Sequence, residues 1–94
     1  GLVLAVATVD IESKEILAGP DILSRGFVYM RESGEMISEG QTVLFNSLRE
    51  ALQEPNCTEY KLKEAMSAAL QPFLFEKTER HPMILSMVMT LDSI

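Results

Sequence analysis

Residues 83–91 read MILSMVMTL. Met83, Leu85, Met87, Met89 and Leu91 alternate with Ile84, Ser86, Val88 and Thr90, the period that sends successive side chains to opposite faces of a strand. The run contains no charge, no Pro and no Gly. It comes after two long segments of helical period, so it predicts a final strand that returns to a sheet begun earlier in the chain. For Met83, Met87 and Met89, core packing is the ordinary reading. The alternative is an adaptable contact surface, because thioethers pack against irregular partners.

The earlier part of that sheet is legible at the start of the chain. From Leu2 to Ile11, Val3, Ala5, Ala7, Val9 and Ile11 share one face, while Leu2, Leu4, Val6, Thr8 and Asp10 share the other, which turns polar only at its end. This predicts a strand buried on both sides at its start. Glu12-Ser13-Lys14-Glu15 supplies a turn, and Ile16-Leu17-Ala18 resumes as the second arm of a hairpin. Gly19-Pro20-Asp21 then interrupts the arm before Ile22-Leu23. Proline has no N–H for a ladder, so a bulge, an edge or a bend is expected there.

Between these strands lie two helical patterns. Ser33 is a candidate N-cap for the first, with Glu35 and Glu39 placed toward the positive end of its dipole. Met36, Ile37, Leu44, Leu48, Ala51 and Leu52 form its apolar stripe. Gly40 costs about 1 kcal/mol relative to Ala in a helix interior, so it predicts close approach by another element. Pro55-Asn56 ends the pattern. Thr58 caps the second, in which Leu62, Ala65, Met66, Ala69, Leu70 and Phe73 recur at helical spacing. Pro72 predicts a kink in it, the other possibility being a second short helix through Lys77. Glu76–His81 reads as a charged connector closed by Pro82. The expected architecture is α+β: a three-stranded β-sheet packed on two α-helices, in the order β-β-α-α-β.

The 94 residues suffice for one domain with a modest core, and 47% hydrophobic against 23% charged content is that of a folded chain. Opening on Gly1 inside a strand-like run, without an initiator Met, the chain reads as residues 1–94 of a longer protein. No apolar run approaches the ~20 residues of a membrane span, so no membrane partner is expected. Cys57 is the only cysteine, which fits a reducing, cytoplasmic setting. Cys57 and His81 fall short of a zinc ligand set, and no carboxylate spacing matches a calcium loop, so neither metal nor other cofactor is expected in these residues. A net charge of −6 argues against general polyanion binding, and no DNA partner is expected.

A nucleophile needs an adjacent base, and the lone His81 is far in sequence from Ser24, so no catalytic residue is expected. The acid pairs Glu12/Glu15 and Glu76/Glu79 read as solvated surface. The segment Ser24-Arg25-Gly26-Phe27-Val28-Tyr29-Met30-Arg31 is the candidate contact site. Arg25 and Arg31 each suit a phosphate, and Phe27 and Tyr29 suit stacking on a base. The structural alternative is a sharp turn into the first helix, with both aromatics packed on the sheet and both arginines paired to nearby acids.

Three blocks carry a resemblance over nearly the whole chain: Ile16-Leu17-Ala18-Gly19-Pro20-Asp21; Leu23 through Gly34; and Pro72 through Arg80 followed by Pro82-Met83-Ile84-Leu85. In them the sequence resembles the C-terminal domain of ribonuclease J, of the metallo-β-lactamase/β-CASP ribonucleases. Asp21-Ile22-Leu23-Ser24, Val43-Leu44-Phe45-Asn46 and Lys77-Thr78-Glu79-Arg80 are more similar to its second Gram-positive paralogue. The resemblance implies a bacterial parent that degrades and matures RNA as a 5′-to-3′ exonuclease and an endonuclease. It implies two divalent metal ions, zinc or manganese, held by residues outside this fragment. For the domain it implies dimer or tetramer assembly, by self-association or by pairing with the paralogous subunit. A sheet covered by one helix layer leaves a face for such a partner, and Met87 and Met89 are the expected contacts. The alternative expectation is an auxiliary RNA-binding domain using Ser24, Arg25, Gly26, Phe27, Tyr29 and Arg31.

Overall fold

A computed structural model describes residues 1–26 and 34–91. Its elements are β1 (Leu2–Asp10), β2 (Glu15–Arg25), α1 (Gly34–Leu52), α2 (Glu59–Thr78) and β3 (Met83–Thr90). The sheet is three-stranded in the order β2-β1-β3, with β2 antiparallel and β3 parallel to the central β1. This is the α+β order expected, with the hairpin and the returning strand in place.

The hairpin turn is set by Asp10, whose Oδ1 accepts from the Glu12 and Ser13 N–H groups at 3.1 and 3.3 Å. Along β2 the pairing with β1 slips between Val6 and Thr8 and again between Thr8 and Val9. The first irregularity holds Gly19 and Pro20, whose peptide is cis, as the interrupted pattern predicts. Gly19 has φ +80, and a Cβ there would stand 2.8 Å from the Val6 carbonyl oxygen. Only glycine brings this backbone so close to its neighbour strand.

Both helices lie on one face of the sheet. Buried residues recur every fourth position in each: Gly40, Leu44, Leu48 and Leu52 in α1, and Leu62, Met66, Leu70 and Leu74 in α2. They meet Val3, Ala5, Ala7 and Val9 of β1, all essentially inaccessible. Leu74 takes the core position where the sequence pattern suggests Phe73, which is only partly buried. The close approach expected at Gly40 is present. A Cβ there would lie 2.8 Å from Ile22 Cδ1 and 3.4 Å from Phe73.

Polar ties join the packed elements. Gln41 Nε2 donates to the Pro20 carbonyl at 3.1 Å, Ser47 Oγ to the Ala65 carbonyl at 2.9 Å, and the Ser67 and Ser86 hydroxyls share a bond of 2.7 Å. Lys77 Nζ stands 2.9 Å from Glu39 Oε2 between the two helices.

Thr58 is the N-cap expected of α2, its Oγ1 accepting from the Lys61 N–H at 3.2 Å. The helix is one element through the exposed Pro72, without a separate short helix after it. It also runs further than the sequence suggests, because Glu76, Lys77 and Thr78 form its last turn. The Thr78 hydroxyl donates back to the Leu74 carbonyl at 2.7 Å, and Glu79 in the left-handed region closes the helix. The charged connector is therefore shorter than Glu76–His81. The Ser33 cap lies outside the described residues.

Candidate functional site

Strand alternation and register decide which side chains share the uncovered face. β1 carries Val3, Ala5, Ala7 and Val9 to the helices, so Leu2, Leu4, Val6 and Thr8 point away from them. The pairing extends each into a row: Arg25–Leu2–Met83, Leu23–Leu4–Leu85, Asp21–Val6–Met87 and Ala18–Thr8–Met89. The face is apolar across its centre and along the whole of β3, with charge confined to the β2 side.

Solvent reaches much of it. Leu23 is 60% exposed, Met83 65%, Leu85 48%, Met87 49% and Met89 58%. Core packing of the methionines is thus corrected: Met83, Met87 and Met89 stand in a line on the open side of the sheet. The physical reason is the helix layer, which covers one face only. The even-numbered partners Ile84, Ser86, Val88 and Thr90 take the protected side. Likewise β1 is fully buried on one face and half-buried on the other, rather than buried on both. Leu23, Met83 and Leu85 belong to this surface as much as Met87 and Met89. Only the strand register, which alternation within one strand does not contain, brings Leu23 beside Leu4 and Leu85.

The arginine segment divides. Ser24 pairs with Val3 and is half-buried on the helix side, while Arg25 ends β2 on the open face and is exposed. Gly26 follows with φ +65. Ser24 and Arg25 are therefore the last two residues of β2. Phe27, Tyr29 and Arg31 lie outside the described residues, so the pairing of the arginines and the packing of both aromatics do too.

Other reactive side chains do not converge. His81 stacks on Phe75, ring centroids 4.4 Å apart and planes within 15°. The Ser67 and Ser86 hydroxyls bond each other and not an imidazole. Cys57 is half-buried, and that burial pushes its thiol up, against the lowering influence of Lys61, which disfavours the reactive thiolate. Among the described residues no group of three or more His, Cys, Asp or Glu is placed to hold a metal ion. The metals that the family resemblance implies therefore do not fit these donors. No helix among the described residues is long and apolar enough to cross a membrane.

The ribonuclease J C-terminal domain family model matches residues 1–91. The chain belongs to this family. Ribonuclease J 1 of Streptococcus pyogenes serotype M3 is 59% identical over 92 residues, covering 98% of this chain and 16% of that protein. Ribonuclease J2 of Bacillus subtilis strain 168 is 40% identical over 89 residues, 95% of this chain and 16% of that protein. Ribonuclease J 2 of Staphylococcus aureus strain NCTC 8325 is 38% identical over 88 residues, again 16% of its length. The chain thus spans about a sixth of the length of the curated relatives it matches. These identities do not favour the second paralogue, since the relative named J 1 is more similar than those named J2 or J 2.

Proposed function

We propose that this ribonuclease J C-terminal domain is an assembly module: it holds subunits together and so positions catalytic cores that lie outside these residues. The observation that carries the reading is the open sheet face, apolar across its centre and along β3, on a chain of net charge −6. Contiguous exposed apolar surface on a small domain marks a contact site. Covering each half-exposed Leu or Met is worth roughly 1 kcal/mol. The rows of the face together supply several kcal/mol toward the cost of association. In the whole protein, the substrate is RNA, hydrolysed as a 5′-to-3′ exonuclease and an endonuclease. Its partners are a further copy or a paralogous subunit, and its setting is cytoplasmic.

The test is sedimentation equilibrium of the chain over a wide concentration range, for wild type and Met87→Glu. Wild type is expected to associate reversibly. Met87→Glu is expected to remain folded, since the side chain is half solvated, and to weaken association at least about tenfold, or ~1.4 kcal/mol. Unchanged association in a folded Met87→Glu protein would falsify the face contact.

A further inference from the structure

Three of the six methionines stand on one strand, β3. Met66 is wholly inaccessible in the core, and Met36 packs partly buried against it. Met83, Met87 and Met89 are instead exposed, in a line on the open face. Strand formation does not ask for them there, because strands favour β-branched and aromatic side chains. Beyond its pliancy, a thioether differs from Leu or Ile in that oxidation to a sulfoxide turns an apolar side chain into a polar one. A thiol reacts with peroxide as its thiolate, and burial at Cys57 works against that form. A thioether sulfur has no proton to lose, so access alone decides its reactivity. Among the described residues, accessible thioether sulfur is concentrated on β3.

The strand register grades what oxidation would do at each of them. Met83 shares a row with Leu2 and Arg25, and Met89 lies beside Thr8. A guanidinium and a hydroxyl are donors from which a sulfoxide oxygen accepts. Met87 lies beside Val6 with Asp21 beyond it, and Leu85 and Met89 flank it along the strand. A carboxylate accepts and does not donate, and the other three are apolar, so a sulfoxide at Met87 has only water as a donor. While the face is open, water serves and the fold of one copy is undisturbed. Once the face is covered, the oxygen is left without a partner, which opposes the contact.

We propose that Met83, Met87 and Met89 are a modification site for hydrogen peroxide, and that the sulfoxide at Met87 switches the open face from a contact surface to a hydrated one. The inference rests on the assembly reading and adds its regulation. In the step, the sulfur lone pair attacks one peroxide oxygen, and the S–O bond forms as the O–O bond breaks. Sulfur gives up two electrons, and the leaving hydroxide takes the proton of the transferred hydroxyl and departs as water. The return step takes two thiols, which are oxidised to a disulfide as the sulfoxide oxygen leaves as water. The buried Met66 lies out of reach of this chemistry, so oxidation acts on the surface and spares the core.

The test treats the dilute chain with hydrogen peroxide, then with a thiol that returns any disulfide at Cys57 and leaves sulfoxides in place. Peptide mass spectrometry locates the added oxygens, urea unfolding follows the fold, and sedimentation equilibrium gives association, each sample being compared with its own untreated control. Met83, Met87 and Met89 are expected to gain oxygen before Met66. The urea midpoint is expected to hold while association weakens at least about tenfold. In Met87→Leu the same treatment is expected to change association by less than about threefold. Unchanged association in the oxidised wild type overturns the switch and leaves the assembly reading standing. An equal loss in Met87→Leu overturns the role of Met87. Oxygen reaching Met66 as fast, or a midpoint that falls with treatment, overturns the site in favour of general damage. An untreated chain that stays monomeric at every concentration overturns the assembly reading, and the switch with it.

Discussion

Gly19 is where one residue type is most strictly required. Its φ of +80 is costly for any side chain, and the atom a Cβ would strike is a main-chain oxygen that cannot turn aside. Gly19→Ala is therefore expected to destabilise the domain by about 1–3 kcal/mol, measured as a shift in the urea midpoint at unchanged slope. Gly40 differs, because the atom nearest its missing Cβ is the end of the Ile22 side chain, which has rotamers to use. Both glycines are visible as interruptions in the sequence pattern. Which atom each one approaches is not, since Val6 and Ile22 reach them from other elements.

At the level of elements, α2 shows how far local chemistry defines a boundary. Thr58 supplies the orphan N–H of Lys61 with an acceptor, and Thr58→Ala is expected to cost about 1 kcal/mol, read from thermal or urea unfolding. That start is legible because a cap acts within a few residues of itself. The end is less so. Glu76-Lys77-Thr78 looks like a charged connector until Lys77 is seen to meet Glu39 of α1 and Thr78 to bond back to Leu74. The same division holds for the strands. Alternation in Met83–Leu91 announces two faces, but it does not say which one the helices cover. In β3 the more apolar face is the exposed one, against the usual expectation that apolar residues turn inward. The assignment depends on β1, where Ala5 and Ala7 give the helices room to approach.

For the whole molecule, charge and apolar surface make opposite demands on self-association. Exposed apolar surface such as the open face favours contact between copies, while a net charge of −6 on each opposes it. Added salt screens the second without weakening the first. Raising NaCl from about 50 to about 500 mM is thus expected to leave the self-association constant unchanged or to strengthen it, as followed by sedimentation. Association that falls steeply with salt would point instead to charged contacts through Arg25. The sheet order has a further consequence, for the time course of folding. β1 meets β2 after a short turn, but its other neighbour arrives only after both helices. Until the final strand has been synthesised, Leu2–Asp10 is a hydrophobic ribbon with one side unzipped. A nascent chain on the ribosome therefore passes through a stage in which its central strand is open to mispairing, and the emergence of β3 ends that exposure.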